Sequence, residues 1–147
     1  RALARFEKHH QPELLADVAG LFARMTGGAY VDVRRQLDKQ GTLLALDPRG
    51  AAKSPEQLST GAREQLYLAI RLAYVRRYCR KAEPLPLVMD DVLVNFDPER
   101  AASVANVIAQ VSDRHQVLLL TCHPETRDLM AVAAPDSRAI EFERLVG

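Results

Sequence analysis

The chain has 147 residues, of which 48% are hydrophobic, and this length predicts one domain with a buried core. Its 20 basic and 19 acidic residues give a formal net charge of +1, which excludes a global field that would attract nucleic acid or an anionic membrane. Cys79 and Cys122 lie far apart without metal-ligand spacing, so neither a disulfide framework nor a zinc site is predicted. No apolar run is long enough for a membrane span and no signal-peptide pattern is present, so we expect a soluble, cytoplasmic protein.

Apolar residues recur every three or four positions over residues 1–26, which predicts a helical segment. Because proline suits a first helical turn and disrupts an interior, Pro12 predicts two helices. We expect residues 1–11 to be a lead-in helix or the stump of a coiled coil, and a second helix to run from about residue 12 to Gly27 and Gly28. The apolar face comprises Leu3, Phe6, His10, Leu14, Val18, Leu21 and Met25.

The next elements are a hairpin and a long helix. The runs "AYVDVRRQL" and "GTLLALD" are joined by residues 38–41, whose glycine indicates a hairpin turn. A polar loop follows. Apolar residues then recur at helical spacing from about Gly61 to Arg80, which predicts the longest helix.

The second half of the chain alternates strands and helices. "LPLVMD" and "QVLLLT" are short apolar runs typical of buried parallel strands, and helices are predicted over residues 98–111 and 124–132. "RAIEFERL" alternates in the manner of an edge strand. Together these elements predict an α/β fold with a mainly parallel sheet, flanking helices and a hairpin.

Two adjacent carboxylates end the first of these strands. Ligands of open α/β sheets lie beyond the carboxyl ends of the strands, where Asp90 and Asp91 are expected. One carboxylate could hold Mg²⁺ and the other could orient or deprotonate an attacking water. The alternative is that both acids only begin a loop, since acids are common turn residues.

Two further polar features can be explained locally, and the second of them also has a functional interpretation. Asp97 precedes Pro98 and Glu99, which is the pattern of a helix N-cap. Ser59 and Gly61, in "LSTGAREQ", open the long helix and could bind an anion or simply cap the helix, and Ser54 offers a competing cap upstream.

His123 lies just after the apolar run "QVLLLT", as Asp90 lies just after "LPLVM". If the strands are neighbours, the imidazole lies near the carboxylates and could contact a terminal phosphate or the attacking water. The alternative is an ordinary loop residue.

Taken in order, these segments resemble the second half of an ABC-type ATPase head. "LSTGAREQ" resembles the signature motif, "LPLVMDD" the Walker B strand, "VNFD" the D-loop and "TCHPE" the switch-histidine loop. The lead-in helix and "AIRLAYV" make the chain most similar to SMC and SbcC-like coiled-coil ATPases, in particular the bacterial YhaN-like branch. The resemblance implies the C-terminal lobe of a P-loop NTPase head that uses ATP and Mg²⁺.

The resemblance also implies roles for individual residues. Asp90 would hold Mg²⁺, Asp91 would be the catalytic base, and His123 would be the γ-phosphate switch. Ser59 and Gly61 would contact the γ-phosphate of a nucleotide held by the opposite head, and Asp97 would face that head. Arg71 would couple ATP-driven engagement of the heads to the coiled coil. The family usually has Glu in the place of Asp91, so slow hydrolysis or an inward shift of the water is expected.

A phosphate-binding loop is missing from these 147 residues, which contain no Gly-Lys pair. The nearest sequence, "DPRGAAKS", has Asp47 and Ala52 where the glycines are required, and a Cβ at position 52 would crowd a backbone that must approach phosphate. This chain alone is therefore predicted to be inactive.

The resemblance supplies the partners. It implies an N-terminal Walker A lobe in the same protein, preceding a coiled coil, and a second head in an ATP-dependent homodimer that acts in DNA repair or chromosome maintenance. DNA contact through the basic cluster at the end of the long helix is possible, although that cluster also suits a helix C-terminus: Arg76, Arg77, Arg80 and Lys81. The alternatives are a transporter's nucleotide-binding subunit and a non-catalytic interaction module. A sheet edge left open by the missing lobe predicts self-association.

Overall fold

The computed structural model describes residues 2–36, 41–80 and 82–141, and for residues 2–11 it describes the backbone alone. The α/β class is confirmed, and packing divides the chain into two compact units, residues 1–85 and 86–147. Unit 1 contains α1 (Ala2–Met25), β1 (Asp32–Arg35), β2 (Leu43–Leu46), β3 (Ala52–Lys53), a 3-10 turn (Pro55–Gln57) and α2 (Thr60–Tyr78). Unit 2 contains β4 (Leu87–Asp90), α3 (Pro98–Ser112), β5 (Val117–Leu120) and α4 (Pro124–Ala133). None of the described helices combines the length and apolarity needed to cross a membrane.

The first helix is continuous, so the prediction of two helices separated at Pro12 was wrong. An interior proline costs a helix about 3 kcal/mol through one lost hydrogen bond and a steric clash. The part of α1 that follows Pro12 is held by tertiary packing, because Val18, Leu21 and Met25 are buried as predicted. Packing therefore outweighs the local preference against proline. The predicted apolar side chains at positions 3, 6 and 10 lie outside the described side chains.

Two glycines end α1 as predicted. The Gly28 N–H donates to the Ala23 carbonyl at 2.8 Å and the Gly27 N–H to the Arg24 carbonyl at 3.3 Å, a paired bonding pattern that satisfies the last carbonyls of a helix. Gly28 has φ +82°, in the left-handed region that favours glycine.

Replacing two glycines of this segment by alanine is expected to have opposite effects. Gly20 is exposed within α1 and a Cβ there meets nothing within 4 Å, so Gly20→Ala should raise the free energy of unfolding by about 0.5–1 kcal/mol. Gly28→Ala should lower it by about 1–2 kcal/mol because alanine is strained at that φ. Urea denaturation monitored by circular dichroism measures both, and equal signs for the two variants would contradict the observed end of α1.

The core of unit 1 lies between α1 and α2. Phe22 is fully buried and its ring stacks on Tyr30, with centroids 5.2 Å apart. Gln65 of α2 is also fully buried, and its Nε2 donates to the Met25 carbonyl at 2.6 Å, which ties α2 to the end of α1. The other buried apolar side chains of the two helices are Val18, Ala19, Leu21, Met25, Ala62, Leu66, Leu68, Ala69, Leu72 and Ala73.

An antiparallel sheet completes unit 1. β1 pairs with β2 in the predicted hairpin, with Asp32 opposite Leu46, although residues 37–40 of the turn lie outside the description. A third strand, β3, pairs with β2 where we predicted a loop.

The sequence "DPRGAAKS" forms the turn that follows β2 and then β3 itself. The Asp47 carboxylate accepts from the N–H groups of Arg49 and Ala51, each at 2.9 Å, and Gly50 has φ +82°. A phosphate loop connects a strand to a helix, whereas this segment is a tight turn between antiparallel strands. The local structure therefore agrees with the conclusion that this segment is not a phosphate loop.

Unit 2 is built on a parallel pair of strands. β4 pairs with β5 as predicted, with Leu87 opposite Val117 and Asp90 opposite Leu120. α3 packs against β5 through an apolar face that is buried: Ala101, Val104, Ala105, Val107, Ile108 and Val111.

The prediction that both strands are buried was wrong, because the side chains are exposed on one face and only partly buried on the other. Side chains alternate along each strand, and Val88 is 65% exposed while Leu118 and Leu120 are 46% and 39% exposed. We call these three residues the open face. A continuous apolar run predicts that both faces of a strand are covered by other elements. The sequence of the strand does not show which element covers each face.

The segment predicted as a final edge strand is irregular over residues 138–141, where Ile140 is 59% exposed. The rest of that prediction, residues 142–147, lies outside the described chain. Alternation makes a segment compatible with a strand, but a strand forms only where a sheet edge provides hydrogen bonds to it.

Candidate active site

Asp91 follows β4 in a backbone conformation that few residue types adopt. Its φ is +45°, while Asp90 still belongs to the strand. Aspartate tolerates the left-handed region better than most residues because its short polar side chain bonds locally. The Asp91 N–H donates to the Leu120 carbonyl at 3.0 Å, so the turn away from β4 is fixed to the end of β5.

Thr121 connects Asp91 to the loop after β5. Its hydroxyl donates to Asp91 Oδ1 at 2.8 Å and accepts from the His123 N–H at 3.1 Å. The Cys122 Sγ lies 3.8 Å from Asp91 Oδ2, within hydrogen-bond range for sulfur. The carboxylate of Asp91 is therefore held by side chains that lie 30 and 31 residues later in the chain.

The structure brings Asp91 and His123 together as the strand-end argument predicted. One potential ligand atom from each of Asp91, Cys122 and His123 lies within 4.8 Å of the others. Asp91 and His123 are partly buried and Cys122 is exposed. His123 also lines a groove of about 350 Å³ between α4 and the loop that contains Leu93 and Phe96. The imidazole is thus accessible from outside.

Asp90 lies outside that cluster. It is exposed at the end of β4, on the same side of the sheet as the open face. Within the described residues its carboxylate makes no hydrogen bond or ion pair. Its oxygen atoms therefore remain available to an external ligand.

Asp97 performs the local function predicted for it. Its Oδ1 accepts from the Arg100 N–H at 3.0 Å and caps α3, and Oδ2 lies 3.3 Å from the Arg100 Nε. The side chain is half exposed, so its cap does not exclude other contacts.

In unit 1, both predicted helix caps exist, and each begins its own helix. Ser59 is exposed and its Oγ accepts from the Ala62 N–H at 3.3 Å, which caps α2, while Gly61 follows in the first turn. Upstream, the Ser54 N–H donates to Gln57 Oε1 at 2.9 Å and begins the 3-10 turn. The Ser54 hydroxyl donates to Glu56 at 2.6 Å and lowers the pKa of that carboxyl.

Further along α2, Arg71 is exposed and half of the basic cluster contacts α1. Arg77 lies 3.2 Å from Glu13 and Arg80 lies 3.3 Å from Asp17. Ion pairs of this kind typically contribute no more than about 1 kcal/mol, yet they provide a local explanation for two of the four cations. Arg76 is exposed, and residue 81 lies outside the described chain.

Sequence reasoning missed three residues. Thr121 and Cys122 were identified as part of a motif but were given no role, although the neighbouring-strand argument applied to His123 also covers Thr121. Gln65 was missed because its sequence position does not show that its amide reaches the end of α1, 40 residues earlier.

Removing the hydroxyl of Thr121 should release Asp91. Thr121→Val keeps the branched shape but leaves the His123 N–H and Asp91 Oδ1 without their partner, so we expect a loss of about 1–2 kcal/mol of unfolding free energy. Thr121→Ser keeps the hydroxyl and should lose less than about 0.5 kcal/mol. Urea denaturation compares the two, and equal losses would show that the hydroxyl contributes nothing.

Comparison with known proteins relates this geometry to a fold. No family model matches the chain. A solved SMC ATPase, from work on ATP-driven dimerisation and DNA-stimulated activation of SMC ATPases, matches with a TM-score of 0.67 and 18% identity, over 86% of this chain and 76% of the other. The chain has the SMC head fold. The Smc head domain of Pyrococcus yayanosii, solved with a coiled coil and joint, shares this head fold with a TM-score of 0.64 and 19% identity, over 86% of this chain and 24% of the other.

A curated relative of this chain is the uncharacterized protein YhaN of Bacillus subtilis, which is 34% identical over 128 residues. The match covers 86% of this chain and 13% of YhaN, so the chain spans about an eighth of that relative's length. The resemblance to SMC-type heads and to YhaN is thus confirmed.

Proposed function

We propose that the chain is the C-terminal lobe of an SMC-like ATPase head, and that it supplies the signature segment, the Mg²⁺ ligand and the water-activating carboxylate for ATP hydrolysis. In the complete protein, two such heads engage around ATP in the cytoplasm and act in DNA repair or chromosome maintenance. Similarity to SMC ATPases supports the ATPase part of this proposal.

The conformation and contacts of Asp91 carry the proposal. A residue at positive φ costs free energy, and such strain is concentrated at functional sites. Here the strained residue is a carboxylate, fixed by Thr121 and placed beside His123. A fixed carboxylate can orient a water and accept its proton, and the neighbouring imidazole can donate to a phosphate oxygen.

Mg²⁺ and ATP fit the residues around this carboxylate. Bound Mg²⁺ neutralises charge on the phosphates during phosphoryl transfer. Asp90 has exposed oxygen atoms at the carboxyl end of a strand, without a bonding partner among the described residues, which suits a cation that prefers one or two carboxylates plus phosphate oxygens. Asp90 would therefore bind the metal, and the adjacent Asp91 would orient the attacking water.

The signature segment would act on a second head. Ser59 is exposed and Gly61 is partly exposed at the N-terminus of α2, where backbone N–H groups favour an anion. In an engaged dimer these groups would contact the γ-phosphate bound by the opposite head, and Asp97 would face that head from the cap of α3. Arg71, exposed on α2, would transmit engagement to the coiled coil.

The phosphate-binding loop would come from the N-terminal lobe of the same protein. The open face supports this partner, because Val88, Leu118 and Leu120 expose apolar surface on a sheet that ends at Asp90. Covering such a face typically contributes about 25 cal/mol per Å² of buried apolar area.

A non-catalytic interaction module is a second candidate. Both oxygens of Asp91 already contact side chains, Oδ1 that of Thr121 and Oδ2 that of Cys122, and the carboxylate is one methylene shorter than the glutamate usual in the family. In this candidate Asp91 would stabilise the turn after β4 and would not contact water.

Mixing the chain with its N-terminal lobe distinguishes these candidates. Release of phosphate from Mg²⁺-ATP is measured for each lobe alone and for the mixture. Turnover by the mixture, with none by either separate lobe, supports a split ATPase head. A mixture that forms a complex and binds ATP without turnover supports the non-catalytic module. Turnover by the isolated chain would contradict the proposed division of the site.

A further inference from the structure

A thiol, an imidazole and a carboxylate converge beyond the ends of β4 and β5. Cys122 Sγ, a ring nitrogen of His123 and a carboxylate oxygen of Asp91 all lie within 4.8 Å of one another. These are the donor types that bind Zn²⁺, with bonds of about 2.0–2.3 Å, so tetrahedral ligands lie about 3–4 Å apart. Side-chain movements of about 1 Å would therefore bring all three donors into range.

The positions of these three residues in the sequence do not reveal that they lie close together. Cys122 and His123 are adjacent, which is not a metal-binding spacing, and the third donor lies 31 residues earlier. Parallel pairing of β4 with β5 is what brings Asp91 to the other two. One of the donors is already anchored, since the Thr121 hydroxyl donates to the Asp91 carboxylate. The same hydroxyl accepts from the His123 backbone N–H and so holds the loop that carries the imidazole. Fixing a ligand in advance typically strengthens metal binding about 10- to 100-fold.

We infer that Asp91, Cys122 and His123 form a three-ligand Zn²⁺ site, and that Zn²⁺ bound there inhibits ATP hydrolysis. Binding replaces the thiol proton, which leaves to solvent as the sulfur–zinc bond forms, and three protein ligands leave one position for water. The inhibitory part rests on the proposed function, because the metal would occupy the carboxylate and imidazole assigned to the water and the phosphate.

The site differs chemically from the proposed Mg²⁺ position. Mg²⁺ requires oxygen ligands in near-octahedral geometry, which a thiolate and an imidazole do not provide. Asp90 lies outside the cluster and offers only oxygen atoms. Adjacent aspartates would thus serve metals of different softness, Asp90 for Mg²⁺ and Asp91 for Zn²⁺.

Protection of the two cysteines from alkylation tests the binding within one molecule. The 147-residue chain is titrated with Zn²⁺, treated with iodoacetamide and digested, and the rates at Cys122 and Cys79 are read by mass spectrometry. We expect saturating Zn²⁺ to slow alkylation of Cys122 at least about tenfold, with Cys79 unchanged and Mg²⁺ without effect. Equal effects on the two cysteines, or none at Cys122, would overturn the site.

Variants then identify the other ligands. Asp91→Asn and His123→Ala should each raise the Zn²⁺ concentration for half-protection of Cys122 at least about tenfold, whereas Asp113→Asn, an exposed acid at the end of α3, should not. An unchanged concentration in both site variants would mean that the thiol binds Zn²⁺ without them, and would overturn the three-ligand site. For a variant that fails to fold, Co²⁺ binding by the unmodified chain replaces this test: a thiolate-to-cobalt absorption band at one metal per chain supports the site and its absence contradicts it.

Inhibition is measured separately from binding. Zn²⁺ at the concentration for half-protection should halve phosphate release by the mixed lobes, and Cys122→Ser should require at least about tenfold more, each compared with its own rate without Zn²⁺. Protection of Cys122 in a preparation without turnover would sustain the metal site while the proposed ATPase fails. Turnover unaffected by Zn²⁺ that protects Cys122 would overturn the inhibitory part alone.

Discussion

Replacing Asp91 by asparagine is expected to lower ATP hydrolysis by the mixed lobes about 100- to 10,000-fold, the usual contribution of a general base. Asparagine removes the negative charge that accepts a proton from water. It also suits the left-handed conformation at φ +45°, and its carbonyl oxygen can still accept from Thr121. The substitution therefore changes the chemistry of the position while conserving its geometry. Steady-state phosphate release at saturating Mg²⁺-ATP measures the effect.

The matched control is Asp113→Asn, which makes the same change at an exposed acid after α3. It should keep the rate within about twofold, since ordinary surface substitutions have small effects. Nucleotide binding by Asp91→Asn should also persist, because a lost base affects the chemical step. A rate unaffected by Asp91→Asn would remove Asp91 from catalysis and favour the non-catalytic module.

Replacing Phe22 by alanine is expected to have the largest effect on folding. The ring lies on the packed face of α1, where it is fully buried and stacks on Tyr30. Its removal leaves a cavity and should lower the free energy of unfolding by about 3–5 kcal/mol. Typical domains have a total stability of about 5–15 kcal/mol, so much of the folded population at moderate urea would be lost. Urea denaturation followed by circular dichroism measures the change.

Tyr67→Ala is the control for Phe22→Ala. Tyr67 is 46% exposed on α2 of the same unit, so deleting its ring should cost less than about 1 kcal/mol. Similar losses for both variants would mean that α1 does not pack on α2 as described. Because Gln65 joins α2 to the end of α1, loss of this packing should also disturb the Ser59 cap.

Local chemistry explains why several elements could be predicted from the sequence. Ser59 and Asp97 are caps whose bonds reach only three residues along the chain, so sequence spacing was sufficient to find them. Parallel pairing of β4 with β5 followed from two similar apolar runs separated by a helix, and it placed His123 near Asp91. The motif order indicated the SMC head fold, which the structural comparisons confirm.

The remaining features depend on contacts that are distant in sequence. The left-handed turn at Asp91 is fixed by Leu120 and Thr121, about 30 residues later. The helix continues through Pro12 although local propensity opposes it. β3 has only two residues and no distinctive pattern. None of these can be derived from the spacing of residue types alone.

The open face has a consequence for the abundance of the protein in cells. Val88, Leu118 and Leu120 present apolar surface that chaperones and proteases recognise in unassembled chains. Because the proposed partner lobe belongs to the same polypeptide, a chain whose two lobes fail to join is expected to be degraded faster than one with an assembled head. The half-life of the protein in cells would then report how completely the two lobes join after synthesis.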